Sequence, residues 1–100
     1  MSGSKPIRRG HVRLVAALNS LRWTQYELAR RIGRPCIVVT RVVKRHRGVG
    51  LALAGLIEDA LPGQVPLSSW REAVSPEEAK QYEAEVMTLV ERGQNRRRRS

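Results

Sequence analysis

The sequence predicts an all-α fold, and three observations predict it. Apolar residues recur at three- and four-residue spacing, as in Leu14, Val15, Leu18 and Leu21. Thr24 with Glu27, and Ser75 with Glu78, are spaced as helix caps with an acid at the third helical position. Gly33, the pair Pro62-Gly63 and Gly93 fall where periodic runs end. One hundred residues suit one small domain, and a hydrophobic share of 41% can fill its core. That core should be aliphatic, because Trp23, Trp70, Tyr26 and Tyr82 are the only aromatic residues.

Taken in order, residues 1–10 are basic and broken by Gly, Ser and Pro, and read as a flexible arm. Residues 12–21 form the first helix. Trp23 before the Thr24 cap and Leu28 beyond it are placed as a hydrophobic staple, and the Thr24/Glu27 pair as a reciprocal capping box. The second helix runs over residues 25–32 and stops at Gly33, which tolerates a left-handed turn. Residues 35–45 hold six β-branched residues, which favours a strand. Pro35 suits a first helical turn, however, and Val39, Val42 and His46 fall on one side of a helix, so a helix is expected. Residues 51–61 are a fourth, apolar helix. Residues 64–74 read as a connector with one helical turn around 68–72. Residues 75–92 form a fifth helix, followed by a basic tail over 94–100. The expected division is therefore an arm (1–10), a folded module (11–63), a connector (64–74), a C-terminal helix (75–93) and a tail.

Several functions are disfavoured by what is missing. One Cys allows no internal disulfide and no Cys-based zinc site, and His11 and His46 are too few and too far apart for a metal cluster. We expect no cofactor and no metal; His11 reads as a surface residue and His46 as half-buried. No apolar run approaches a membrane span and no leader-like apolar segment follows the first residues, so cytoplasmic residence is expected. No nucleophile elbow, phosphate loop or carboxylate pair in a basic pocket is present, and no enzymatic activity is expected. The formal charge of +10 is unevenly placed: residues 1–57 carry +11, residues 58–95 carry −5 and the tail carries +4. A basic half joined to an acidic half points to a polyanion-binding module with a separate interaction element.

Residues 24–45 hold two short helices around a glycine turn. Thr24-Gln25-x-Glu27-Leu28-Ala29 with Gly33, and Val39-Thr40-Arg41-Val42 without a gap, resemble the Cro/C1-type (XRE) helix-turn-helix family over residues 12–61. The resemblance implies a five-helix, lambda-repressor-like helix-turn-helix domain plus a C-terminal amphipathic helix. It implies a transcriptional regulator of phage type, whose third helix enters the major groove of an operator in double-stranded DNA. It places Thr24 and Gln25 at a phosphate, where helix N–H groups and the Gln amide converge. Arg41 matches a base-reading position and suits guanine. Cys36 and Ile37 stand where a polar pair is usual, so their readout would be apolar, against thymine methyls. Thr40, Lys44, Arg45 and Arg47 are expected at phosphates. Arg30 and Arg31 read as solvated charges. Leu18 and Val43 occupy positions that hold an ion pair in many members; the joint apolar replacement is one that desolvation favours. Pro35 replaces a Ser or Thr cap, so the start of the third helix should be irregular. A redox role for Cys36 lacks a resolving Cys.

On the fifth helix, Ala79, Tyr82, Val86 and Leu89 form an a/d-like stripe. It reads both as a packing face and as a homodimer contact. Two rival functions share the composition: an antitoxin that holds a toxin through this helix and the tail, and a general nucleic-acid binder. Scarce aromatics for base stacking count against the latter.

Overall fold

The computed structural model describes residues 6–99, with side chains over 6–93. It contains α1 (Arg9–Leu21), α2 (Gln25–Ile32), α3 (Cys36–Val43), α4 (Leu51–Ala60), a 3-10 turn (Leu67–Arg71) and α5 (Pro76–Arg99). No strand is found among the described residues; one isolated antiparallel bridge joins Arg8 to Ala73. The all-α expectation holds.

That bridge explains why α1 starts three residues earlier than its apolar spacing suggests. Arg8 is extended, the Arg9 N–H donates to the Glu72 carbonyl (2.9 Å), and the Arg8 N–H donates to His11 Nδ1 (3.0 Å). Two of the donors at the start of the helix are thus satisfied, one by residues more than sixty positions away. Ile7 packs against the core. The expected arm is therefore part of the fold from residue 7 onward, and residues 1–5 lie outside the described ones.

The cap of α2 is half of the one expected. Thr24 Oγ1 accepts the Glu27 N–H at 3.1 Å. The Glu27 carboxylate does not return to Thr24 but accepts from Arg30 (3.0 Å) and Arg31 (2.8 Å). Two cations one turn away attract it more strongly than one amide. Gly33 closes the helix at φ +71°, where any Cβ would be strained, and the Arg34 N–H reaches the Ala29 carbonyl (3.0 Å).

α3 starts one residue after Pro35, which serves as an N-cap with no side-chain bond, and ends at Val43. Burial overrides the β-branched composition: Val39, Val42 and Val43 all enter the core between α3 and its neighbours α2 and α1. The chain then reverses through Arg45 at φ +62°, and the His46 N–H donates to the Arg41 carbonyl at 2.7 Å.

A single core joins all the elements. Leu14, Leu18, Leu28, Val42, Ile57 and Leu61 are in it, and so are Val65, Tyr82 and Leu89 from beyond residue 63. Leu18 and Val43 are both buried there. α5 lies along α1, with Tyr82 and Leu89 fully covered and Val86 packed beside them. Three of the four residues of the stripe expected at a packing face or homodimer contact thus pack inside the chain, and Ala79 is half-buried. Ser75 and Glu78 make the full reciprocal cap of α5 (3.0 and 3.2 Å). The helix does not end at Gly93 but continues to Arg99. No helix of the described residues is long and apolar enough to cross a membrane.

Candidate nucleic-acid interface

α2 and α3 meet across the three residues 33–35 and form one corner of the molecule. The packing residues point inward, so the outward positions follow from helical spacing alone. On α3 these are Ile37, which is 54% exposed, then half-buried Thr40, and exposed Arg41 and Lys44. Arg34 and Arg47 stand exposed just before and after the helix. Among the described residues no carboxylate forms an ion pair with Arg34, Arg41, Lys44 or Arg47. Thr24 and Gln25 are half-buried at the start of α2, and Gln25 Oε1 is buried without a hydrogen-bond partner there. Tyr26 beside them is 66% exposed. Cys36 is half-buried and packs partly against the core, which withdraws it from the face that Ile37 presents.

The acid nearest this corner in sequence is already neutralised. Glu27 is paired with both Arg30 and Arg31, and Arg31 first, then Arg30, holds its carboxyl below the usual range despite some desolvation. The Arg31 guanidinium also lies over the Trp23 ring, 4.3 Å from its centroid. These two arginines are engaged locally rather than merely solvated.

Arg45, expected at a phosphate, is turned the other way. It is half-buried with its guanidinium 5.6 Å from the Tyr82 ring centroid, on the α1–α5 side. The left-handed backbone at Arg45 sends the side chain out of the α3 face. There it faces a cluster that sequence reasoning missed. His11 is buried, not superficial, and meets the edges of Trp70 (5.2 Å, 88°) and Tyr82 (6.1 Å, 72°). Tyr82 donates its hydroxyl hydrogen bond to the Val43 carbonyl. Burial first, and the nearby Arg45 charge second, push the His11 pKa down to about 4. The imidazole is therefore neutral near pH 7, and accepting at Nδ1 puts its proton on Nε2. His46, by contrast, is exposed. The one local signal for this cluster is Gly10: a Cβ there would sit 2.4 to 2.9 Å from Trp70 ring atoms.

Acidic residues of the second half are drawn to α1. Arg9 pairs with Glu72 (3.2 Å) and Glu78 (3.1 Å), and Asn19 donates to Glu85 Oε1 (2.7 Å). Arg92 Nη2 donates to Asn19 Oδ1 (2.7 Å) and to the Trp23 (2.9 Å) and Leu18 (3.3 Å) carbonyls, closing the C-terminal end of α1. A cleft of about 380 Å³ opens between the start of α4 and the 3-10 turn. Its Ser68 has no His or carboxylate beside it in the lining. Among the described residues no group of three or more His, Cys, Asp or Glu converges on a metal-sized point.

Comparison with known proteins finds no matching family model, no similar curated protein and no matching solved structure.

Proposed function

We propose that the chain is a double-stranded-DNA-binding transcriptional regulator of the Cro/C1 helix-turn-helix kind, with α3 entering the major groove. The observation that carries this reading is the outward face of α3. It is cationic, includes the one large exposed apolar residue of that helix, and has no carboxylate partner among the described residues. A short helix so armed fits a groove whose walls are phosphates and whose floor is base edges. In this reading Arg41 takes guanine O6 and N7, while Thr40, Lys44 and Arg47 take phosphates. Thr24 and Gln25 hold a further phosphate at the start of α2, where helix N–H groups favour an anion. Arg34 joins the phosphate set and Arg45, turned toward Tyr82, leaves it; half-buried Cys36 takes no part in the apolar readout expected of it. One such helix reads few base pairs, so the operator would be a palindrome bound by two copies, with half-sites about 34 Å apart. The Ala79, Tyr82, Val86 and Leu89 stripe plays no part in that pairing.

The test is titration of labelled duplex and single-stranded DNA at two salt concentrations. With about three cationic phosphate contacts per copy, about six for the pair, raising salt from about 50 to about 200 mM should weaken duplex binding by roughly 10³-fold. Selection from a random duplex pool should return a preferred sequence. A flat salt response, or equal affinity for single strands, would sink the reading.

A further inference from the structure

We infer that Ile37 and Arg41 together read a 5-methylated pyrimidine close to a guanine. The module would then separate thymine from uracil, and 5-methylcytosine from cytosine, at one position. The inference rests on the duplex-binding reading above and names what the α3 face recognises.

Ile37 is not needed for the fold. Val39, Val42 and Val43 supply the core face of α3, and Ile37 stands 54% exposed on the opposite side. Its neighbours on that side, Thr40, Arg41 and Lys44, all carry hydrogen-bonding groups. An isoleucine has none, so toward most major-groove edges it would cover donors and acceptors without replacing their water, at a cost. One feature of that groove is apolar, the methyl group at pyrimidine C5. Thymine carries it, and 5-methylcytosine carries the same group at the same atom. The side chain is β-branched and holds one rotamer in a helix, so little freedom is lost when it meets that methyl.

Arg41 fixes the neighbour. It stands four residues on, one turn along the same face, about 6 Å away at about 1.5 Å per residue. Successive base pairs lie about 3.4 Å apart, so the two side chains reach edges no more than two base pairs apart. The guanidinium fork matches guanine O6 and N7.

The experiment uses the full chain and the duplex recovered from the random pool. Each thymine is replaced in turn by uracil, and each guanine by 7-deazaguanine, which lacks N7. One uracil position should weaken binding by about three- to fivefold, the worth of one buried methyl. It should lie within two base pairs of a guanine whose 7-deaza form also weakens binding. At that position 5-methylcytosine should bind more tightly than cytosine. Ile37→Ala, whose folding is checked by circular dichroism, should bind the thymine and uracil duplexes alike. Arg41→Ala should be indifferent to the 7-deaza change. Full tolerance of uracil, no thymine near a required guanine, or discrimination that survives Ile37→Ala overturns the inference and leaves the regulator reading in place. A pool that yields no preferred duplex overturns both.

Discussion

Arginine serves opposite purposes on the two sides of this molecule. On the α1–α5 side Arg9 is held by Glu72 and Glu78, Arg45 lies over Tyr82, and Arg92 is bound to two carbonyls and Asn19. On the α2–α3 side Arg34, Arg41 and Arg47 stand exposed, with no acid among the described residues paired to them. One composition thus yields a brace and a bare cationic face. The difference lies in where the acids are: Glu72, Glu78 and Glu85 meet α1, and the lone acid of the basic half is neutralised on α2. Net charge therefore says little about which cations are available. The count of uncompensated ones on a single face says more.

If the comparison is right, changes on the brace should alter stability and changes on the bare face should alter binding. The largest effect should come from Tyr82→Ala, which empties a fully buried ring site and orphans the Val43 carbonyl. A loss of about 3–5 kcal/mol is expected in urea unfolding, a large share of the roughly 5–15 kcal/mol that holds a domain this size. For the same reason removing residues 75–100 should leave an unfolded chain rather than a smaller folded domain; a cooperative unfolding transition in that fragment would break the comparison.

Next is pH. His11 has its folded pKa lowered to about 4 from an ordinary 6.5. The unfolded chain takes the proton first, so stability is complete above about pH 6.5 and falls as pH drops toward 4. The expected loss is about 2–3 kcal/mol. Most of the slope between pH 7 and 5 should go in His11→Gln, the Glu27 and Glu78 carboxyls held low by their partners keeping a share of it at lower pH; a wild-type protein with flat stability between pH 7 and 4 would remove the buried imidazole from the brace. Gly10→Ala should cost about 1–3 kcal/mol, because its methyl would overlap the Trp70 ring. A smaller Trp70→Leu side chain should restore part of that loss in the double variant. The smallest effect on stability, within about 0.5 kcal/mol, is expected for Arg41→Ala and Lys44→Ala. On DNA they should diverge: Arg41→Ala should lose about 1–3 kcal/mol on the preferred site and little on random sequence, Lys44→Ala similar amounts on both. Thermal unfolding and fluorescence anisotropy on the same samples separate the two readouts.

What was legible in the sequence was local. α2 and α5 were placed to within a residue at their starts, because Thr24 and Ser75 cap with their own third-position amides. Of the outward set Cys36, Ile37, Thr40, Arg41 and Lys44 that helical spacing gives, Ile37, Arg41 and Lys44 are exposed, while Cys36 and Thr40 are half-buried. What was not legible depends on partners far along the chain. The start of α1 is fixed by the Arg8–Ala73 bridge, and His11 is buried by Trp70 and Tyr82, none of which spacing could announce. Arg45 was misplaced because one left-handed residue redirects a side chain that an ideal helix would have aimed elsewhere. The Ala79, Tyr82, Val86 and Leu89 stripe was legible as an apolar face with two possible occupants; its packing on the chain's own core, seen at Tyr82, Val86 and Leu89, is one of them, and amphipathicity alone does not choose between them.

The closure of α1 by Arg92 carries a kinetic consequence. Its three hydrogen bonds span 69 to 74 positions of sequence, and the packing of α5 on α1 is nearly as long-range. At a synthesis rate of about 5–20 residues per second, α1 emerges roughly 4–14 s before the residue that caps it. Through that interval its apolar sides wait uncovered, a window for chaperones, proteases or self-association that most helical bundles of this size, built from neighbouring contacts, do not open.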